Sequence, residues 1–142
     1  MHEPLSQRGF TLIELMIVVT VIVLLAGLAY PSYARHAARV RRADGKELLM
    51  RIAAMEERYY TSFNRYGELK KDLALPADKV TSDKDYYQVS LAEALPADGQ
   101  SYTLQAVPAT GGAQAKDACK TLTLDNTGVK GRSGDDSNGA CW

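Results

Sequence analysis

Residues 9–31 of the chain read GFTLIELMIVVTVIVLLAGLAYP. Between residues 10 and 30 the only charged side chain is Glu14. As an α-helix this run would extend roughly 31 Å at about 1.5 Å per residue, enough to cross a hydrocarbon core about 30 Å thick. A buried helix of a soluble protein or a cleaved secretory signal would have a shorter apolar run. The stretch therefore predicts one membrane-spanning helix.

Glu14 is the residue that a plain membrane anchor does not explain. A carboxylate within an apolar stretch costs about 3 kcal/mol on insertion scales, so it needs a function or a partner. It follows Phe10 by four residues, which places the two side chains on one face, one helical turn apart. A partner for this carboxylate is therefore expected near the beginning of the helix.

The sequence Gly9-Phe10-Thr11-Leu12-Ile13-Glu14 follows a short polar leader and resembles the processing motif of type IV prepilins. The resemblance implies that a prepilin peptidase cuts between Gly9 and Phe10 and that the new amine of Phe10 is methylated. It also implies that Glu14 pairs with the Phe10 ammonium group, usually that of the neighbouring subunit in the growing filament. Each charge is costly alone in apolar surroundings, so removal of one partner should cost about 3–5 kcal/mol.

Gly27 and Pro31 stand at the end of the apolar run. A proline in a helix cannot donate to the carbonyl of residue 27, and its ring crowds that turn. The pair therefore predicts a kink or weak point, with a simple end of the helix at Tyr30 as the alternative. Relatives in the resembled family have a glycine at the position of Val23, so the extent of any helix melting between Val23 and Pro31 stays open.

Residues 32–62 are polar overall but keep an apolar stripe at helical spacing, which predicts an amphipathic helix packed on a sheet. The stripe consists of Tyr33, Ala37, Val40, Leu48, Ile52, Met55 and Tyr59, widened by Leu49 and Ala53.

The charged residues of this second helix are expected at the surface. The arginine cluster should be solvated, or should contact anionic headgroups before assembly and acidic residues of neighbouring subunits afterwards. Glu56, Glu57 and Arg58 point in successive directions and are expected to be surface charges. The arginine cluster is Arg35, Arg39, Arg41 and Arg42.

The remainder of the chain predicts a small sheet. Residues 63–85 are rich in turn residues and are expected to form a connecting loop. Three alternating segments follow, and their short connections favour an antiparallel arrangement. If this region is exported, Cys119 and Cys141 are expected to form one disulfide. The alternating segments are Tyr87, Val89 and Leu91; Tyr102, Leu104 and Ala106; and Leu122 and Leu124.

The predicted fold class is α+β, the type IV pilin fold. It has a long N-terminal helix, whose apolar half projects and whose amphipathic half packs on a small antiparallel sheet, and a disulfide-bounded C-terminal loop. The predicted divisions are a leader at 1–9 that is removed, a transmembrane and filament-core helix at 10–31, and a globular region at 32–142. Within the globular region we expect the helix at 32–62, the connecting loop at 63–85, the sheet at 86–126 and the disulfide-bounded region at 119–142.

No catalytic residue, metal site or cofactor is predicted, and the chain is expected not to be an enzyme. Its two histidines, His2 and His36, are far apart, and no phosphate-binding loop or metal-ligand spacing is present. Asp135, Asp136 and Asn138 resemble a fragment of a calcium loop without the spacing or the closing glutamate, which leaves a solvated loop as the expected state.

The resemblance implies a structural subunit of a type IV pilus. The run from Cys119 to Leu124 and the final Cys141-Trp142 favour a minor pilin of the PilE type that helps to initiate assembly for twitching motility, adhesion or DNA uptake. Implied partners are other pilins through the N-terminal helix, the prepilin peptidase, the inner-membrane assembly platform and a tip adhesin. The subunit would be single-pass in the inner membrane, with a periplasmic head, before it enters the extracellular pilus.

The alternatives are a major pilin, a DNA-uptake or adhesion pilin, and a pseudopilin of type II secretion. DNA is not the expected ligand, because residues 63–142 carry nine basic and eleven acidic side chains, a net charge of −2.

Overall fold

The computed structural model of the chain describes residues 9–142; the predicted leader, apart from Gly9, lies outside the described residues. The described residues divide after Ala34 into two compact units. We call residues 9–34 the N-terminal unit and residues 35–142 the head.

A single long helix, α1, begins at Leu12 and ends at Phe63. Its first turn is capped by Thr11, whose hydroxyl oxygen accepts a hydrogen bond from the backbone N–H of Glu14 (3.3 Å). A threonine in this capping position explains why the helix begins at Leu12 rather than at Phe10. Pro31 lies inside the helix, so the alternative that the helix ends at Tyr30 is wrong.

In the N-terminal unit, apolar side chains cover every side of the helix. Its large apolar residues are all exposed, from 47% for Val18 to 86% for Phe10. The hydroxyl of Thr20 donates to the carbonyl of Met16 (2.8 Å), so this polar group is satisfied within the helix itself. By length and composition this part of α1 can cross a membrane.

The head contains one five-stranded antiparallel sheet with the strands in chain order. The three predicted strands are confirmed as β2, β3 and β4, whereas the sequence pattern missed the two short edge strands. The strands are β1 Val80–Thr81, β2 Tyr87–Leu91, β3 Thr103–Pro108, β4 Leu122–Asp125 and β5 Lys130–Arg132.

The core of the head lies between α1 and one face of the sheet. Leu48, Leu49 and Ile52 of the helix are buried together with alternate residues of the three central strands. The strand residues in this core are Tyr87, Val89, Leu104, Ala106, Leu122 and Leu124. This arrangement, with the C-terminal disulfide, confirms the α+β class. The predicted stripe was too long at its beginning, because Tyr33 and Val40 are exposed.

Gly45 sets how closely α1 approaches the sheet. A Cβ atom at this position would lie 2.6 Å from Cγ of Tyr87. Real Cβ contacts do not come this close, so the absence of a side chain lets the Tyr87 ring pack on the helix backbone. The glycine therefore allows close packing of the helix on the sheet, which offsets the low helix propensity of glycine in the middle of a helix.

Candidate functional site

The predicted processing and assembly residues all lie in the N-terminal unit. Gly9 and Phe10 precede α1, Glu14 is in its first turn, and all three are exposed. Within the described part of this single chain, the Glu14 carboxylate has no ion-pair partner. Gly27 has no atom within 4 Å of a Cβ built on it, and Pro31 lies within the helix. The unit therefore presents a large apolar surface and one carboxylate for contacts outside its own chain.

A disulfide joins Cys119 and Cys141, with 5.6 Å between the Cα atoms, as predicted for an exported head. Both cysteines are buried, at 0% and 2% exposure. Closing a loop over 22 residues of sequence stabilises the folded state by about 3 kcal/mol in the chain-entropy account.

Arg42 was predicted at the surface, and this prediction is wrong, because its side chain is fully buried. Its Nε and Nη2 atoms donate to the two carboxylate oxygens of Asp117, at 2.9 Å and 2.7 Å. Nη1 donates to the carbonyls of Gly139 and Ala140, both at 2.9 Å. Nη2 also donates to the side-chain oxygen of Asn138. All five N–H groups of the guanidinium are therefore used, which is how a buried arginine avoids a large desolvation penalty.

The Asp117 carboxylate is the centre of this polar network. Besides Arg42, it accepts hydrogen bonds from the Tyr87 hydroxyl (3.1 Å), Gln114 Nε2 (3.4 Å) and Asn138 Nδ2 (2.9 Å). Burial alone would raise the pKa of Asp117, but the hydrogen bonds from Arg42 and Asn138 outweigh it and hold the pKa below the ordinary value. The carboxylate is therefore a fixed anion in the head.

Glu56 was also predicted at the surface, and this prediction is wrong, because its side chain is fully buried. Its Oε2 accepts a hydrogen bond from the backbone N–H of Gly67 (3.0 Å), whereas Oε1 is buried without a hydrogen-bond partner. Burial raises the pKa of Glu56 to about 7, opposed by the Gly67 hydrogen bond and assisted by the charges of Asp72 and Glu57. Glu57 and Arg58 are exposed, as predicted.

A signal for both buried charges was present in the sequence. Arg42, Gly45, Leu49, Ile52 and Glu56 recur every three or four residues, so they lie on one face of α1. All five are buried, and the apolar residues Leu49 and Ile52 identify the face that packs on the sheet. The helical phase, rather than the residue type, indicated that Arg42 and Glu56 point inward.

Trp142 packs on the edge strand β5. Its indole N–H donates to the carbonyl of Gly131 (2.8 Å), and the ring is half-buried against the core. Lys46 Nζ and Lys130 Nζ lie 5.6 Å and 5.3 Å from the ring centroid, within cation–π distance. Partial burial, with the positive charges of Arg42 and Lys130, lowers the pKa of Lys46. The indole ring and the two lysines form a half-exposed basic and aromatic patch.

The acidic residues of the disulfide-bounded loop are used in separate contacts. Asp136 pairs with Arg132 (2.7 Å), and Asp135 accepts a hydrogen bond from the backbone N–H of Ser137 (2.8 Å). Asn138 joins the Arg42 network. Asp136 also lies near the two cysteine sulfurs, but the disulfide leaves no thiolate for a metal. The three residues of the calcium-like fragment therefore each make a different contact within the head.

An open depression of about 500 Å³ lies on the head between the connecting loop and the β2–β3 turn. Its charged lining residues are Glu68, Asp78, Lys79 and Glu93. The one hydroxyl among its lining residues, Ser90 Oγ, accepts a hydrogen bond from Gln105 Nε2 (3.3 Å).

Two protein families match the chain. The family described as "Type IV minor pilin ComP, DNA uptake sequence receptor" matches residues 31–123. The "Prokaryotic N-terminal methylation motif" matches residues 5–30, which include the predicted cleavage position and Glu14. The two matches adjoin and together cover most of the sequence.

Individual proteins show the same relationship. The chain is 32% identical over 86 residues to "Type IV major pilin protein PilA" of Myxococcus xanthus, covering 61% of this chain and 38% of that protein. It is 31% identical over 133 residues to a fimbrial protein of Pseudomonas aeruginosa, covering 87% of this chain and 83% of that protein. The chain spans about half or less of the length of the first curated relatives that it matches.

Among solved structures, the "High-Resolution Structure of a Type IV Pilin from Shewanella oneidensis" has a TM-score of 0.51 to this chain at 28% identity. The alignment covers 74% of this chain and 97% of that chain.

Proposed function

This chain belongs to the type IV pilin family and is a structural subunit, and we propose that within the family it is a minor pilin that helps to initiate pilus assembly. The support for the minor class is the match of residues 31–123 to a family of minor pilins. The major pilin from Myxococcus xanthus matches over 86 residues, so a major subunit is the competing assignment.

The observation that carries the structural role is the exposed apolar surface of the N-terminal unit. Nearly every large side chain between Phe10 and Leu28 is aliphatic or aromatic and is not buried in its own chain. At about 25 cal/mol per Å² of apolar surface, such a helix is stable only in a bilayer or against other helices. A membrane anchor that later becomes the core of a filament meets this requirement in both places.

The proposed maturation acts at the first residues of this unit. A prepilin peptidase would hydrolyse the Gly9–Phe10 bond, and the new α-amine of Phe10 would be methylated. Gly9 and Phe10 precede α1, so the bond lies outside the helix. The Glu14 carboxylate, unpaired within the described chain, would then accept the Phe10 ammonium of a neighbouring subunit. Because both charges are costly alone in apolar surroundings, this pairing would fix the axial register of assembly.

The proposed location follows from the same unit. Before assembly the subunit would be single-pass in the inner membrane with its head in the periplasm, where the disulfide can form. The assembly platform would then lift it into the extracellular pilus, where it would contact other pilins through the N-terminal helix. A tip adhesin is a further partner of a subunit that initiates a filament.

Deletion of the gene, with measurement of the protein in sheared filaments, tests the minor class. The proposal expects far fewer surface pili on the deletion strain, full restoration by the unchanged gene, and trace abundance in sheared pili. If this protein makes up most of the sheared filament, the chain is a major pilin. Unchanged piliation with unchanged type II secretion would contradict an assembly role, whereas a secretion defect alone would indicate a pseudopilin.

DNA binding is a second candidate function, supported by the patch of Trp142, Lys46 and Lys130. An aromatic ring flanked by cations is the usual means of stacking a base beside its phosphates. The matching family is described as a DNA uptake sequence receptor. The net negative charge of residues 63–142 argues less strongly against DNA when the helix residues of the head are counted too. The whole chain has 17 basic and 17 acidic side chains, of which Arg8, Glu3 and Glu14 lie outside the head. Residues 35–142 therefore carry 16 basic and 15 acidic side chains.

The DNA candidate is tested by electrophoretic mobility shifts of the full-length chain in detergent with short duplexes. Lys46→Gln with Lys130→Gln should weaken binding about tenfold and reduce the salt slope by about 1 for each phosphate that the patch no longer neutralises. Lys70→Gln with Lys71→Gln removes the same charge from the connecting loop and should have a smaller effect. Equal effects of the two pairs, or no shift at low salt, would exclude this patch as a DNA site.

A further inference from the structure

Arg42 connects three parts of the head that are distant in sequence. It lies on α1, its carboxylate partner Asp117 is 75 residues away, and its carbonyl partners Gly139 and Ala140 are 97 and 98 residues away. We call Arg42, Asp117 and Asn138, together with the carbonyls of Gly139 and Ala140, the Arg42 clamp. These atoms are held by charge-assisted hydrogen bonds, the stronger class of hydrogen bond in proteins.

The clamp holds both segments that carry the disulfide. Asp117 precedes Cys119 by two residues, and Ala140 directly precedes Cys141. One guanidinium therefore bridges the two segments through Asp117 on one side and through the two carbonyls on the other. None of these hydrogen bonds uses a sulfur atom, so the segments are joined by a connection that is chemically independent of the disulfide.

The Asp117 side of the clamp is anchored by further residues. The Tyr87 hydroxyl and Gln114 Nε2 donate to Asp117, and Gln114 Nε2 also lies 3.2 Å from the Ala38 carbonyl of α1. These contacts position the Asp117 carboxylate from parts of the head other than the C-terminal segment. The C-terminal segment therefore docks on a pair whose carboxylate has anchors of its own.

The docked segment also covers the disulfide. The two cysteines are 0% and 2% exposed, and Cys141 is followed by Trp142, whose ring packs on β5. A thiol can exchange with a disulfide only when its thiolate reaches a sulfur in line with the S–S bond. The carbonyl oxygen of Gly139, in the segment that Arg42 holds, lies 3.9 Å from Cys119 Sγ, so access to the buried bond requires this segment to move away from the head.

We propose that the Arg42 clamp, rather than the disulfide, sets the position of the C-terminal segment and keeps the disulfide inaccessible to external thiols. Reduction by a dithiol begins with attack of its thiolate on Cys119 Sγ or Cys141 Sγ, which releases the other cysteine as a thiolate. The second thiol of the reductant then attacks the reductant's own sulfur in the mixed disulfide and releases the remaining cysteine as a thiolate. Two electrons have then passed to the head, and the reductant has become a cyclic disulfide. The clamp controls the opening that must precede the first attack.

The first test measures native-state reduction of the full-length chain in detergent by dithiothreitol, with alkylation and mass analysis over time. Arg42→Lys keeps the charge but loses the bidentate fork, and it should accelerate reduction at least about tenfold, the effect of one lost hydrogen bond to a charged group. Asn138→Ala loses only the contacts of the C-terminal segment and should accelerate it by a smaller factor. Arg51, which lies on the same helix as Arg42 and forms an exposed pair with Asp83, supplies the matched control: Arg51→Lys should react as the unchanged chain does.

Reduction of the Arg42→Lys chain at the unchanged rate, with its circular dichroism intact, would overturn the proposal. If that variant does not fold, Asn138→Ala decides: an unchanged rate overturns the proposal, and a faster rate supports it.

The second test uses Trp142, the one tryptophan of the chain, as a reporter of docking. In the Cys119→Ser and Cys141→Ser double variant, the proposal expects the emission maximum of Trp142 to stay where it is in the oxidised chain. Adding Arg42→Lys to that background should shift the emission to longer wavelength as the ring enters water. A shift to the solvent-exposed value in the double serine variant alone would show that the disulfide, and not the clamp, positions the segment.

Discussion

Glu14 and Arg42 are both charged residues of helix α1, but they differ in burial and in whether the chain supplies a partner. Arg42 is buried and has five acceptors in its own head. Glu14 is exposed among apolar side chains and has no ion-pair partner in the described residues. The Arg42 charge is therefore paired within one chain, whereas the N-terminal unit leaves both its apolar surface and its carboxylate uncovered in the described residues. This difference is what a subunit needs if it must fold before it assembles.

The largest expected effect on stability comes from removing the internally paired charge. Arg42→Met leaves Asp117 buried without its cation and should lower the free energy of unfolding by about 3–5 kcal/mol. Urea unfolding of the full-length chain in detergent, followed by Trp142 fluorescence, measures it. Arg51 lies on the same helix as Arg42 and forms an exposed pair with Asp83, so Arg51→Met should cost no more than about 1 kcal/mol. Equal costs for the two substitutions would refute the distinction between buried and exposed arginines.

Glu56 gives the next largest effect, and the size of that effect depends on pH. Its folded pKa of about 7 lies above the ordinary 4.5, so the stabilising effect of the proton is present below pH 4.5 and is lost as the pH rises to about 7. Glu56→Gln keeps an acceptor for Gly67 and should stabilise the head by about 2–3 kcal/mol at pH 8, with little gain at pH 4.

Unfolding free energies of the Glu56→Gln chain between pH 4 and pH 8 check this expectation. Glu47→Gln, on the exposed side of the same helix, is the matched control and should leave the pH profile unchanged. A gain from Glu56→Gln that is the same at every pH would mean that the ionisation of Glu56 is not its cause.

Substitution of alanine for one glycine in each region of α1 compares the head with the N-terminal unit. Gly45→Ala places a methyl group against the Tyr87 ring, and overpacking of about 1–3 kcal/mol should outweigh the gain of up to about 1 kcal/mol in helix propensity. Gly27→Ala meets no atom within 4 Å and should be neutral or slightly stabilising. Thermal unfolding followed by circular dichroism measures both. Stability changes of the same sign for the two alanine variants would contradict the different surroundings of the two glycines.

The features that the sequence predicted depend on local pattern. An unbroken apolar run identified the N-terminal unit, and alternation of side chains located the three central strands. The edge strands β1 and β5 were missed because they are two and three residues long, and Lys130–Arg132 has no apolar alternation. Such strands are defined by pairing with a neighbour rather than by their own residues.

The buried charges were missed for a different reason. Arg42 belongs to a run of arginines, and its burial depends on Asp117 and on backbone carbonyls almost a hundred residues away. Glu56 stands beside Glu57 and Arg58, which are exposed as their types suggest. Residue type favoured the surface for both, and only helical phase together with distant partners could place them inside.

The incorporation of a Glu14→Ala chain into pili tests the central contrast most directly. The variant is expressed in the deletion strain beside a Glu57→Ala control, and both proteins are quantified in membranes and in sheared filaments. If Glu14 pairs with a neighbouring subunit, the Glu14→Ala protein accumulates in the membrane with its head folded but is depleted at least about tenfold from filaments. The Glu57→Ala protein is incorporated as the unchanged chain is. Incorporation of Glu14→Ala at the level of the control would contradict that pairing.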